Sequence, residues 1–161
     1  MKTSHRKTGD IARVLIVEDF PPFRQFICSM LGERLDLRVV AEVSDGPEAV
    51  QKAAELKPDL ILLDIGLPTM NGIEAARQIR KLSPESKIVF LTQESSVDVV
   101  EEALSTGACG YVVKARAAGQ LLAVLDAVRL QGSLSAALGQ PTVSRVYLKC
   151  DPQGVTLSIN A

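Results

Sequence analysis

Short aliphatic runs alternate along this chain with stretches whose apolar positions recur at helical spacing. The runs are residues 12–17, residues 37–43, Leu60-Ile61-Leu62-Leu63, Lys87-Ile88-Val89-Phe90-Leu91 and Gly110-Tyr111-Val112-Val113. Runs so short and apolar predict strands buried on both faces, as in a parallel sheet. Between the first two, Pro21 and Pro22 suit an opening helical turn, and Phe23, Phe26, Ile27, Met30 and Leu31 form the expected core face. Asp45-Gly46-Pro47 introduces a second helix with Ala49, Val50, Ala53 and Ala54 inward, which Lys57-Pro58 ends. Asn71 can cap a third over residues 72–82, with Ile73, Ala76 and Ile79 on one face. Ser95 or Ser96 can cap a fourth, with Val97, Val100 and Leu104 on its stripe, and Gly107 stands where a left-handed residue is wanted. Leu121, Leu122, Leu125 and Val128 mark the last helix, which Gly132 is expected to close. Five alternations of strand and helix predict an α/β fold, a doubly wound five-stranded parallel sheet with helices on both faces.

Residues 133–161 differ. Ser, Ala, Gly and Pro dominate as far as Thr142; residues 143–150 and 155–159 are then rich in strand formers around Asp151-Pro152-Gln153-Gly154, which favours a type I turn. A C-terminal β-hairpin follows, expected to pack on the domain or edge-on against a second copy. The organisation is thus a tail over residues 1–10, a domain over 11–131, and an extension over 132–161 made of a linker and the hairpin.

Composition narrows the function. The 161 residues are 47% hydrophobic and 23% charged with net charge −1, which suits a globular domain and suggests no strongly basic face for nucleic acid. The single histidine, His5, lies in the tail, and Cys28, Cys109 and Cys150 have no metal-ligand spacing. Reduced thiols, no apolar stretch of membrane-spanning length and no signal-peptide pattern point to a cytoplasmic protein.

The chemistry lies where strands end. Glu18 and Asp19 follow the first strand, Asp64 the third, Thr92 the fourth and Lys114 the fifth. In an open parallel sheet these positions share the carboxyl edge, where ligands bind. Taken singly, Asp64 can merely terminate a turn, Glu18-Asp19 form a solvated loop, Thr92 cap a helix and Lys114 sit on the surface; five matching residues at four strand ends favour the joint reading. Clustered acids with no His or Cys beside them call for Mg²⁺, an ion that usually shares its shell with phosphate oxygens. A carboxylate can itself accept a phosphoryl group. Asp64 is then the nucleophile, Asp19 a direct Mg²⁺ ligand, Glu18 a ligand through water, and the Gly66 carbonyl a further ligand. Lys114 pairs with the phosphoryl group and the Thr92 hydroxyl donates to it. A haloacid-dehalogenase-like phosphatase needs an acid two residues after its nucleophile, where Gly66 stands, and Glu18-Asp19-Phe20-Pro21-Pro22 would repel the phosphate of a flavin.

These residues make the chain resemble the receiver domain of bacterial two-component response regulators over residues 11–131. The resemblance rests on Val14-Leu15-Ile16-Val17-Glu18-Asp19, Asp64-Ile65-Gly66-Leu67-Pro68-Thr69-Met70-Asn71-Gly72, Leu91-Thr92 and Gly110-Tyr111-Val112-Val113-Lys114. It is closest to the branch whose members usually carry a helix-turn-helix output domain. It implies the flavodoxin-like strand order 2-1-3-4-5, and phosphorylation of Asp64 by a sensor histidine kinase or phosphotransfer protein. It also implies a switch in which Thr92 moves toward the phosphoryl group and Tyr111 repacks. The implied readout face is the fourth helix, fifth strand and fifth helix, where Val113, Ala117 and Ala118 offer small apolar spots; that face or the hairpin can pair two copies.

The sequence departs from the family at three places. Gln93 stands where receivers usually have a small residue, and its bulk is expected to slow self-dephosphorylation. Ala115 replaces the Pro that often follows the lysine, which makes a cis peptide there unexpected. Residues 133–161 are too few and too strand-prone for a helix-turn-helix, so no direct DNA binding by this chain is expected. The expected role is a phosphoacceptor switch rather than an enzyme, acting through protein contacts. The rival is a truncated or degenerate transcription regulator without its DNA-binding part.

Overall fold

A computed structural model describes residues 10–93 and 96–130, and the backbone elements over residues 131–137, 145–151 and 154–160. Five strands, β1 (Ala12–Val17), β2 (Leu37–Val43), β3 (Leu60–Asp64), β4 (Lys87–Thr92) and β5 (Gly110–Val113), pair in parallel in the order β2-β1-β3-β4-β5. Five helices connect and follow them: α1 (Pro21–Gly32), α2 (Gly46–Leu56), α3 (Gly72–Leu82), α4 (Val97–Ser105) and α5 (Ala117–Ala137). This is the flavodoxin-like arrangement.

Alternation along each strand divides the core in two. Val14, Ile16, Leu60, Leu62, Val89, Leu91 and Val112 meet Ile27 and Leu31 of α1 and Leu121, Val124, Leu125 and Val128 of α5. Leu15, Val17, Ile61, Leu63, Ile88, Phe90 and Tyr111 meet Ala49 and Ala53 of α2, Ile73, Ala76 and Ile79 of α3, and Ala103 of α4. Residues of β3 are therefore buried on either face, and truncating one such as Leu62 to Ala is expected to cost about 2–5 kcal/mol. Local signals set the helix starts. The side chains of Asp45 and Asn71 accept from the Glu48 and Glu74 N–H groups at 2.9 Å each, and Pro47 and Pro22 fill first-turn positions. Gly107 follows α4 with φ +91°, the left-handed conformation expected of it.

The structure corrects several expectations. Phe26 and Val97, expected on core faces, are exposed, whereas Ala117, expected as a surface spot, is fully buried. Periodicity finds the face of a helix but not how deeply each residue of that face sinks. Ser96 occupies the N-cap of α4 without a side-chain capping bond; Ser95 lies outside the described residues. The last helix runs through Gly132 to Ala137, because one internal Gly costs only about 1 kcal/mol relative to Ala.

Beyond α5, β6 (Arg145–Asp151) and β7 (Gly154–Asn160) form an antiparallel hairpin, with β6 beside β5 through a parallel pairing of Gly110 with Leu148. The connecting Pro152 and Gln153, and with them the expected turn type, lie outside the described residues, as does the expected tail apart from Asp10. At the edge of the sheet opposite the strand ends, Arg34 binds both Asp36 (2.8 Å) and Asp126 (2.7 Å), and Arg129 also reaches Asp36. That network ties α5 to the loop before β2.

Candidate functional site

Strand register brings the polar strand ends together. Val17 pairs with Leu63, Leu63 with Phe90, and Phe90 with Tyr111. Glu18 and Asp64 stand one residue past that rung, while Asp64 pairs with Leu91 and Thr92 with Val113, next to Lys114. Glu18, Asp64 and Thr92 are buried, and Asp19 is exposed at the rim.

Glu18, Asp19 and Asp64 each present a carboxylate oxygen, all within 4.8 Å of one another. Lys114 bridges two of the three, with Nζ 2.7 Å from Glu18 Oε2 and 3.0 Å from Asp64 Oδ2. The Gly66 N–H donates to Asp64 Oδ1 (3.0 Å) and the Phe20 N–H to Glu18 Oε1 (3.1 Å). Glu18 Oε2 has charge contact with the ammonium but no aligned hydrogen bond. Burial raises the Glu18 pKa above its ordinary value, outweighing the opposing pull of Lys114 and the Phe20 N–H, while Asp64 adds to the rise. For Lys114, burial acts downward, but the carboxylates of Glu18 and Asp64 prevail and hold its pKa above the ordinary value. The donor set is all oxygen, dense in negative charge, and includes a buried oxygen lacking a directed partner. It fits a hard divalent cation such as Mg²⁺.

The loop from β3 to α3 is fitted closely under this cluster. The Gly72 N–H donates to the Ile65 carbonyl (2.8 Å), and a Cβ on Gly72 would come within 2.1 Å of the Asp64 carbonyl oxygen. Thr69 turns the loop at φ +64°, and a Cβ on Gly46 would meet Met70 O at 2.6 Å. Gly66 is exposed in this loop, Tyr111 is buried in the core face lined by Phe90 and Ala103, and Gln93 is exposed just past β4.

Three residues at the site were not legible in the sequence as functional. The Phe23 ring lies against Lys114, with Nζ 5.1 Å from its centroid, and Phe26 packs on Phe23 at 5.8 Å between ring centroids. Arg24 donates from Nη1 to the Glu18 carbonyl (2.8 Å) and faces Glu42 (3.6 Å). Helical spacing gave the two phenylalanines to the core, and no pattern marked Arg24.

Residues 14–126 match the family model of the response regulator receiver domain. Over 139 residues the chain is 34% identical to the transcriptional activator protein ExaE of Pseudomonas putida, covering 86% of this chain and 63% of that protein. Over 117 residues it is 41% identical to the response regulator protein VraR of Staphylococcus aureus, covering 73% and 54%. The chain thus spans between about half and just under two thirds of the length of these relatives. Among solved structures, a LuxR-family two-component response regulator from Aurantimonas sp. SI85-9A1 superposes with TM-score 0.72 at 32% identity, over 76% of this chain and 87% of that one. The response regulator domain of Thermotoga maritima CheB gives 0.68 at 32% identity, over 74% and 97%. The LuxR-type relative agrees with the branch expected from the motifs. By fold, by strand-end chemistry and by these matches, the chain belongs to the response regulator receiver domain family of two-component signalling.

Proposed function

We propose that Asp64 accepts a phosphoryl group from a histidine kinase or phosphotransfer protein and that the resulting change in charge switches the protein's contacts. The observation that carries this reading is the Lys114 ammonium lodged between Asp64 and Glu18, with a third carboxylate, Asp19, within 4.8 Å of both acids. A carboxylate oxygen of Asp64 attacks phosphorus; the new P–O bond forms as the bond to the donor breaks, and the donor keeps that electron pair. Glu18, Asp19, Asp64 and the Gly66 carbonyl are the residues that would hold Mg²⁺, which when bound offsets charge on the phosphoryl oxygens. Lys114 stabilises the same oxygens by charge, and the Thr92 hydroxyl is placed in this reading to donate to one of them. Thr92 and Tyr111 are the switch pair, one at the site and one in the core face beneath α4.

In this reading residues 11–131 are the receiver, preceded by a tail over 1–10 and followed by an extension over 132–161 into which α5 continues. The product is a signalling state rather than released substrate. The free thiols of Cys28 and Cys109 suit a cytoplasmic setting, and no helix among the described residues is long and apolar enough to cross a membrane. Two copies can pair through α4, β5 and α5 or through the hairpin, which light scattering with and without beryllofluoride tests. A second reading follows from the name of the relative ExaE: the switch bears on transcription, through protein contacts or through a DNA-binding part outside residues 1–161.

Thermal unfolding with Mg²⁺ and beryllofluoride, a phosphoryl mimic, tests the acceptor assignment. The wild type should melt at a higher temperature with both present than with either alone, and Asp64→Asn should show no such joint effect. An equal joint effect in both proteins would place the acceptor elsewhere. Gln93→Ala should lose its phosphoryl group faster than the wild type; equal or slower loss would reject a shielding role for Gln93.

A further inference from the structure

We propose that the Phe23 ring is a positioning residue that holds the Lys114 ammonium at Asp64 while the carboxylates around it change charge. This rests on the reading of Lys114 as the phosphoryl-stabilising cation.

A lysine head on four rotatable bonds is a poor electrostatic fixture unless its surroundings restrain it. Three restraints meet Lys114 Nζ: Glu18 Oε2 at 2.7 Å, Asp64 Oδ2 at 3.0 Å and the Phe23 ring at 5.1 Å. The carboxylate restraints change during the proposed reaction. Forming the P–O bond converts the Asp64 carboxylate to a neutral acyl ester at the bonded oxygen, and a bound cation competes with Lys114 for Glu18. The aromatic contact alone carries the same charge distribution before and after transfer. A ring centroid within about 6 Å of an ammonium is in attractive range, and the attraction grows as the pair is desolvated. Here the lysine side chain is only 12% exposed. The ring's own orientation is supported from α1: Phe26, tilted 34° to it, packs alongside, which gives that exposed aromatic a structural purpose.

The test uses the whole chain with Mg²⁺ and acetyl phosphate as donor, so that docking of a protein donor does not enter. Phe23→Leu removes the π face and keeps apolar bulk, and Phe23→Tyr keeps the π face. Phosphorylation of Phe23→Leu should be about 5- to 30-fold slower than wild type, the range expected for a largely desolvated cation–π contact, and Phe23→Tyr should restore most of the rate. In the metal-free protein, the Lys114 ε-methylene protons should carry a ring-current shift in wild type and Phe23→Tyr that disappears in Phe23→Leu. Should Phe23→Leu fail to fold, Phe23→Met serves as the ring-less variant. A wild-type rate in the ring-less variant, or a Phe23→Tyr rate as low as Phe23→Leu, overturns the inference. Lys114→Ala separates the levels: if it phosphorylates at the wild-type rate, the role of Lys114 fails and this inference with it; if it is slow while Phe23→Leu is not, only this inference fails.

Discussion

Gly72 opens α3 directly against the backbone of the proposed acceptor, and its replacement by Ala tests whether that backbone must stay where it is. The added Cβ would lie 2.1 Å from the Asp64 carbonyl oxygen and 2.9 Å from both the Asp64 carbonyl carbon and Ile65 Cα. To reach the 3.4 Å at which ordinary contact begins, the two segments must separate by about 1.3 Å. All three obstructing atoms are main chain, so no side-chain rotation can absorb the overlap. Overpacking of this kind costs about 1–3 kcal/mol. At roughly 2–4 °C per kcal/mol for a chain of this size, melting should fall by about 2–12 °C. The functional effect should be larger, since a displacement near 1 Å at a reacting group can cost on the order of 100-fold in rate. Gly119→Ala is the control: it is helical, and its added Cβ meets nothing within 4 Å. That variant should gain about 0.5–1 kcal/mol and phosphorylate normally. Thermal melting and phosphorylation by a small-molecule donor read both. A Gly72→Ala protein with unchanged melting and unchanged rate would falsify the close fit of this loop beneath Asp64.

Other consequences follow from the same geometry. Lys114→Ala removes the counter-charge of fully buried Glu18 and should cost about 3 kcal/mol without metal, the low end for a broken buried pair because Glu18 can take up a proton. Urea titrations in chelator and in Mg²⁺ should show part of that loss recovered by the cation. Because burial raises the Glu18 pKa from its ordinary value, a proton competes with Mg²⁺ for this carboxylate at higher pH than it would at an ordinary glutamate. Apparent Mg²⁺ affinity, read by calorimetry, should fall as pH drops through that raised value; in Glu18→Gln the fall should begin only at a lower pH. The Asp36 carboxyl is held well below its ordinary value chiefly by Arg34 and then by Arg129, against an opposing effect of burial. Its contribution to stability is therefore present above about pH 3.9 and is lost as pH falls toward the depressed folded-state value. Asp36→Asn should cost less than about 1 kcal/mol at neutral pH in this partly exposed network. Denaturation curves of the two proteins should converge in strong acid; a constant gap would reject the ion-pair account.

The α/β alternation and the polar strand ends were legible because a buried parallel strand announces itself as an unbroken aliphatic run, and the residue that leaves it must be polar or turn-forming. Leu60 to Leu63 followed by Asp64 is such a case, and the register that aligns Glu18, Asp64 and Lys114 then follows from parallel pairing. Side-chain depth was not legible. Phe23, Phe26 and Ile27 share a helical face in the sequence, but only Ile27 reaches the sheet fully, while Phe23 turns toward Lys114 and Phe26 leans on Phe23. The end of α5 was misplaced for an energetic reason: Gly132 weakens a helix by too little to stop one that continues with Ser133, Leu134, Ser135, Ala136 and Ala137. Arg24 was missed because an arginine on an amphipathic helix carries no sign of what its guanidinium will reach.

Acceptance of a phosphoryl group by Asp64 in a Mg²⁺-dependent site is open to direct chemical test. Incubation with acetyl phosphate, with Mg²⁺ or with chelator, followed by intact mass and peptide fragmentation, tests it directly. One added phosphoryl group is expected on the peptide containing Asp64, dependent on Mg²⁺ and absent from Asp64→Asn. A phosphoryl group on another residue, or one that forms equally well in chelator, would contradict it.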